Sequence, residues 1–318
     1  MPTPRIALVT CSELPELDPE DQPLIGALAD RGAEASAVVW DDPDVDWSDY
    51  DLAVIRSTWD YTTRHREFLE WAASVPRLVN PPNVIRWASD KHYLQGLADH
   101  GLAVVETTWL EPSRNFDKRA LHNRFPARED FVIKPAISAG SLETGRYTAT
   151  DADSRRFAIE HAHRLLSEGR SVMVQRYLPE VDAAGEAALI FLHGTFSHAV
   201  HKDAMLAPGE GVVGEGDTLY KPESMSPYRA SAVEIEAAQN ALAFARARIP
   251  GRSPASRPLL YARVDLVTPR SGDPVLMELE LVEPSLFCSL APGALDRFAD
   301  AIMAELRMGP DTHNIALA

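Results

Sequence analysis

Tyr261-Ala262-Arg263-Val264-Asp265-Leu266-Val267 and Val275-Leu276-Met277-Glu278-Leu279-Glu280-Leu281 are two extended, apolar-rich runs separated by a turn-like Thr268 to Asp273. They are expected to pair as a hairpin. Side chains alternate across a strand, so Arg263 and Asp265 share one face, and Glu278 and Glu280 share one face of the neighbour. If those faces coincide, three carboxylates and one arginine converge. Clustered carboxylates raise each other's pKa unless a cation neutralises them. Hard oxygen ligands on a rigid sheet suit magnesium, which takes a few carboxylates and completes its shell with water and phosphate oxygens. Asp265, Glu278 and Glu280 are therefore the candidate metal ligands. The competing reading is the wet face of an antiparallel sheet; Arg263, the apolar alternate positions and the Glu283-Pro284-Ser285 continuation weigh against it.

Upstream, Phe131-Val132-Ile133-Lys134-Pro135 puts a lysine at the end of an apolar strand. The small-residue loop Ala136-Ile137-Ser138-Ala139-Gly140-Ser141 follows. Such a loop brings backbone N–H groups close to phosphate oxygens while Lys134 supplies a point charge. A lysine snorkelling before an ordinary turn is the alternative. No Gly-Lys-Ser or Gly-Lys-Thr follows a Gly-rich loop and no dinucleotide fingerprint follows the first strand, which disfavours those phosphate sites.

The 318 residues carry 47 acidic and 31 basic side chains, a formal net charge of -16. That balance opposes nucleic acid, since no basic run offsets it, but a few aimed lysines still suffice for a nucleotide. The two cysteines, Cys11 and Cys288, have no metal-ligand spacing. With no signal-peptide pattern after MPTPRIALVT and no apolar run of membrane-spanning length, a cytoplasmic enzyme without membrane contact is expected.

Apolar runs at Ile6 to Val9, Ala37 to Trp40, Leu52 to Ile55 and Leu78 to Val79 alternate with helical patterns around Leu24 to Ala29 and Phe68 to Ala72. This predicts a parallel sheet whose ligands gather at the carboxyl ends of its strands. Asp90 is expected to cap a helix running to His100, ended by Gly101 before an extended Leu102 to Val105. Strands at 131 to 135, 146 to 150 and 171 to 177 flank a helix at 153 to 168. A hairpin turning at His193-Gly194 joins strands 187 to 192 and 195 to 200. An amphipathic helix is expected over 230 to 248, resting on Val233, Ala237, Ala241 and Phe244, and a last helix from about Gly293 to Met308. The fold class is α/β with α+β modules. The expected units are 1 to 88 (N-terminal, substrate side), 89 to 176 (central lid) and 177 to 318 (catalytic).

In this order the pieces resemble the ATP-grasp superfamily over about residues 80 to 308. Ser89-Asp90-Lys91 with its helix resembles the family's first nucleotide lysine, and Lys134-Pro135 with its loop (Ser138, Gly140, Ser141) resembles the second lysine and the flap over the phosphates. Val174-Gln175-Arg176-Tyr177-Leu178-Pro179-Glu180 resembles the hinge: backbone around Gln175, Arg176, Tyr177 and Leu178 would hold adenine, with Glu180 or Glu186 on the ribose. Many members have Asn where Glu280 stands. The resemblance implies ATP and magnesium, attack of a small substrate's carboxylate on the γ-phosphate, and capture of the acyl phosphate by nitrogen. Arg263 and Lys134 would then steady the transferring charge, largely by positioning and neutralisation. Dimers are common among such ligases.

Arg56-Ser57-Thr58-Trp59-Asp60-Tyr61 and Val79-Asn80-Pro81 resemble a subgroup of these ligases that closes O-ureido-D-serine into a five-membered ring. Arg56 would clamp the substrate carboxylate, helped by Ser57, Thr58 and Asp60, with His198 and Lys202 facing the cleft. The alternatives are a core role for this segment and a satisfied surface histidine. Gly209 to Gly216 is either a lid that excludes water from the acyl phosphate or a surface loop. Intermolecular amino-acid or dipeptide ligation is the alternative reaction. A non-catalytic nucleotide-binding regulator is the alternative class.

Overall fold

A computed structural model describes residues 2–207, 209, 211–213, 224–253, 256–270 and 272–309. Half of the Gly209 to Gly216 loop, residues 210 and 214 to 216, therefore lies outside the described residues, so the reading of this loop as a lid lies outside them too.

The chain opens with β1 (Arg5–Thr10), α1 (Pro23–Ala29), β2 (Glu34–Val39), β3 (Leu52–Ser57), α2 (His65–Ser74), β4 (Leu78–Val79) and α3 (Pro82–Ala88). The four strands form a parallel sheet in the order β2-β1-β3-β4. β3 is buried along its whole length, as a central strand covered on both faces must be.

α4 (Tyr93–Asp99), β5 (Thr107–Leu110), α5 (Lys118–His122), β6 (Asp130–Pro135), β7 (Thr144–Thr148), α6 (Ala152–Ser167) and β8 (Val172–Arg176) come next. The last stretch holds α7 (Pro179–Ala184), β9 (Glu186–Leu192), β10 (Thr195–Lys202), β11 (Val212–Val213), β12 (Met225–Tyr228), α8 (Ala232–Arg248), β13 (Tyr261–Val267), β14 (Val275–Glu280) and α9 (Ala294–Met308). Two antiparallel sheets result, ordered β11-β7-β6-β8-β5 and β12-β10-β9-β13-β14. The first has its own core of Leu110, Phe131, Tyr147 and Leu165. The second shares both its cores with the N-terminal sheet: Ile55, Phe68 and Leu94 pack with Phe191 and Leu279 on one side, Leu8 and Val54 with Ile190 and Ile302 on the other.

The His193-Gly194 turn forms with φ of 48° and 77°, the paired left-handed geometry of a tight hairpin. A Cβ at Gly194 would stand 2.7 Å from the Pro258 Cβ. Asp90 does not cap α4: His92 is the N-cap, and Asp90 Oδ1 instead accepts from the His92 N–H at 3.1 Å. Leu102 to Val105 makes only a bridge from Val104 to Leu276, and regular pairing starts at Thr107. Of the expected inner positions of α8, Ala241 is buried and Ala237 and Phe244 pack against the core, but Val233 faces out. Val233 is 52% exposed, whereas Glu234, Ala238, Ala241 and Ala245 are buried. Glu234 faces inward because it closes a capping box with Ser231 and accepts from the Thr268 hydroxyl.

Candidate active site

A cleft of about 400 Å³ opens where the three sheets meet, inside the size range of small-ligand sites. Its floor is the β13–β14 hairpin. Arg263 pairs with Glu280 and Asp265 with Glu278, so the alternation read from sequence does bring all four side chains to one face.

Each acid on that face meets a cation. Arg263 donates to both Asp265 oxygens at 2.9 and 3.0 Å and also to Glu280. Lys202, from the end of β10, reaches Asp265 Oδ2 at 3.1 Å and Glu186 at 3.7 Å. Lys91 lies 3.0 Å and Lys134 3.7 Å from the two Glu278 oxygens, and Lys91 Nζ also donates to the Ser138 carbonyl at 2.6 Å. Burial opposes the charged form of Asp265, but Arg263 and Lys202 outweigh it and bring the carboxyl down to about 2. For Glu278 too, Lys91 and Lys134 outweigh burial. Burial pulls the Lys134 ammonium down despite Glu278. Glu280 is pushed up to about 7 by burial with Glu278 and Asp265 nearby, Arg263 notwithstanding, and Glu283 up to about 8 by burial and then Glu280. The raised carboxyls of Glu280 and Glu283 mark where buried carboxylates crowd one another, a crowding that an added cation would relieve.

Among the described residues no three such side chains close on a single point, because each is turned onto a lysine or arginine. The donor chemistry nonetheless fits magnesium, since Lys91 and Lys134 are long, flexible side chains able to exchange Glu278 for phosphate oxygens.

Ser138, Gly140 and Ser141 line one wall, with Gly140 and Ser141 both left-handed at φ of 58° and 59°. Gln175, Arg176, Tyr177 and Leu178 line another, together with Val132, Val181 and Met277, a flat apolar slot beside strand backbone. The Gln175 side chain is committed to Thr107 Oγ1 at 2.9 Å, and the Arg146 guanidinium covers the Tyr177 ring at 3.5 Å. Glu186 lines the cleft; Glu180, on α7, does not.

The substrate candidates divide by position. Arg56, Ser57, Thr58, Asp60 and His198 do not line the cleft; Lys202 does. Arg56 is 1% exposed, paired with Asp21 at 3.0 Å and donating to the Pro284 carbonyl at 3.0 Å. Ser57 Oγ accepts from the Asp18 N–H at 3.1 Å, and Thr58 is wholly buried. Asp60 accepts from Trp40 Nε1 at 3.0 Å, and His198 Nε2 donates to the Leu286 carbonyl at 2.7 Å. The segment after β14 covers the end of β3: Arg56 and His198 brace it through the Pro284 and Leu286 carbonyls, while Ser57 and Asp60 are engaged by Asp18 and Trp40. Asp18, Glu20, Trp59, Tyr61, Glu283 and Ser285 stand in the cleft in their place. Four of them follow the carboxyl ends of β1 and β3, the location read from the parallel sheet. Only the Glu-Pro-Ser run carried a signal toward the others.

Residues 6–80 match the family model for the N-terminal domain of D-cycloserine synthetase DcsG. The cycloserine biosynthesis protein DcsG of Streptomyces lavendulae is 36% identical over 309 residues, covering 95% of this chain and 99% of that one. The chain belongs to the DcsG family. The crystal structure of D-cycloserine synthetase DcsG superposes with a TM-score of 0.84 at 35% identity, covering 95% of this chain and 99% of that one. The ATP-grasp fold of the DcsG family extends to more distant proteins. A RimK-domain ATP-grasp protein from Sphaerobacter thermophilus matches with a TM-score of 0.62 at 19% identity, over 93% of this chain and 98% of its own. D-alanine–D-alanine ligase from Bacillus anthracis matches with 0.63 at 15%, over 96% and 98%. The protein is thus an ATP-dependent ligase with the ATP-grasp fold. Among the described residues no helix is long and apolar enough to cross a membrane.

Proposed function

We propose that this chain uses ATP and magnesium to activate the carboxylate of a small amino-acid-like substrate and closes O-ureido-D-serine to D-cycloserine. The observation that carries the phosphoryl chemistry is the convergence of Lys91 and Lys134 on Glu278, beside Asp265, Glu280 and Arg263, in one buried cleft. The near full-length likeness to the cycloserine biosynthesis protein supports the substrate.

Asp265, Glu278 and Glu280 would hold magnesium, which supplies charge neutralisation between the phosphates when bound. Adenine fits the slot beside Gln175 to Leu178, ribose lies toward Glu186, and the phosphates lie under the Ser138 to Ser141 loop. Lys91 and Lys134 then leave Glu278 for phosphate oxygens, trading one buried ion pair for another, so neither charge is left unpaired. A substrate carboxylate oxygen attacks the γ-phosphorus and ADP leaves, with Arg263 neutralising the transferring group. The nitrogen on the substrate's own side-chain oxygen then attacks the acyl carbon and phosphate leaves, closing the ring. Atom balance requires water to remove the carbamoyl group as carbon dioxide and ammonia. No side-chain nucleophile is needed, so catalysis is positioning and charge neutralisation.

Glu280→Ala and Lys134→Met test the assignment. Each is expected to lower magnesium-dependent ADP release by roughly 100-fold or more, as loss of a charge-stabilising group does, with the circular dichroism spectrum unchanged. Wild-type turnover in Glu280→Ala contradicts the metal assignment, and wild-type turnover in Lys134→Met contradicts the phosphate assignment.

A further inference from the structure

Four successive backbone carbonyls after β14 are each taken by a side chain from elsewhere in the chain. Trp59 Nε1 donates to the Glu283 carbonyl at 3.2 Å and Arg56 to Pro284 at 3.0 Å. Arg263 donates to Ser285 at 3.2 Å and His198 to Leu286 at 2.7 Å. A loop whose carbonyls are all held this way is pre-organised, and the side chains it presents keep their direction. The one it presents at its first position is Glu283.

The charges of the cleft single this carboxylate out. Asp265, Glu278, Glu280 and Glu186 each face a lysine or arginine. Glu283 is 9% exposed and lines the same cleft; Lys91 at longer range and the neighbouring Tyr61 hydroxyl act on its carboxyl, but no lysine or arginine forms an ion pair with it among the described residues. Asp18, 8% exposed and also in the cleft wall, likewise has no such ion pair among them. The rings of Trp59 and Tyr61 complete this side. A buried acid with no ion pair, in a cleft wall it shares with two aromatic side chains, is an environment that a compact organic cation completes.

The geometry points to Glu283, assisted by the Tyr61 hydroxyl, as the group that binds the ammonium of an α-amino-carboxylate substrate. The inference rests on the ligase function proposed above and narrows it. Three residues of chain span at most about 10 Å, so Glu283 lies within the length of one small amino acid of Glu280 and the phosphate-transfer groups. The enzyme would therefore select small acids bearing an amine beside the carboxyl, and reject the same acid without it.

The test compares O-ureido-D-serine with its deamino analogue, 3-(ureidooxy)propanoic acid, by ADP release from the full-length wild type and Glu283→Gln. The wild type is expected to prefer the amino compound by about 100-fold or more in kcat/KM, the scale at which a site built for a polar group rejects its absence. In Glu283→Gln that preference should fall below about tenfold and KM for the amino compound should rise at least about tenfold. KM for ATP and the magnesium activation constant should stay within about twofold, which separates an ammonium site from a metal or structural role. Tyr61→Phe keeps the ring and should lower the preference at least about threefold, providing a second reading if Glu283→Gln folds poorly. Equal turnover of both compounds by the wild type, or an unchanged preference in both variants, overturns the ammonium site and leaves the ligase function standing. A shift in magnesium activation with the preference intact overturns it as well. Silence of the wild type with both compounds contradicts the substrate reading, and the ammonium site falls with it.

Discussion

Asn80 shows how much a single buried amide can carry. It is 1% exposed; Nδ2 donates to the carbonyls of Tyr261 and Leu281 at 3.0 and 2.8 Å, and Oδ1 accepts from the Leu260 N–H at 2.9 Å. One side chain after β4 thus fixes the start of β13 against the end of β14, the hairpin that carries Arg263, Asp265, Glu278 and Glu280. Asn80→Ala strands one donor and two acceptors in a dry interior. At about 1 to 3 kcal/mol for each unpaired group, relieved in part by relaxation, the expected loss is roughly 3 kcal/mol in urea unfolding. A loss below about 1 kcal/mol contradicts this reading. Arg56 is the opposite lesson: an arginine in an aromatic-rich run reads as an anion clamp, yet its guanidinium is buried over the Tyr261 and Phe298 rings, with Nε and Nη2 on Asp21 and a backbone carbonyl and Nη1 left without a partner among the described residues.

Helix α4 and strand β5 are joined by one histidine. His92 Nδ1 lies 2.6 Å from Asp90 and Nε2 3.0 Å from Glu111, the ring stacks on Trp109 at 4.1 Å, and Glu111 accepts from Ser171. Hydrogen bonds to Asp90 outweigh partial burial, and with Glu111 they raise the imidazolium pKa to about 9. The folded-state value lies above the ordinary 6.5, so this contribution to stability is complete below about pH 6.5 and is lost as pH rises through about 9. His92→Gln should therefore unfold at lower urea than the wild type at pH 6 and approach it at pH 9.5. A difference that is constant or grows with pH contradicts the assignment. His92 follows Lys91 directly, so the same clasp also anchors the backbone at Lys91 beside the central sheet. Elements of this kind were only half legible in sequence. The alternation in β13 and β14, the lysine ending β6 and the His193-Gly194 turn are local patterns and were readable. The strap over β3 was not, because its donors at 56, 59 and 198 are distant in sequence from residues 283 to 286, and no periodicity encodes such contacts. The inner face of α8 was read only in part, because alanines and a capping glutamate take its most buried positions while Val233 faces out.

Over the whole molecule, the N-terminal and C-terminal sheets form one body through two shared cores, while the central sheet keeps a core of its own. The cleft lies between them and is lined by residues of both. The net charge of -16 does not set the local potential, because Lys91, Lys134, Lys202 and Arg263 are gathered on one face of that cleft. The most direct measurement is ADP release by the full chain with ATP, magnesium and O-ureido-D-serine, without a second amine. Stoichiometric ADP, with D-cycloserine and ammonia formed in step, is the expected result. ADP release that demands a separate amine, with no ring product, contradicts intramolecular capture.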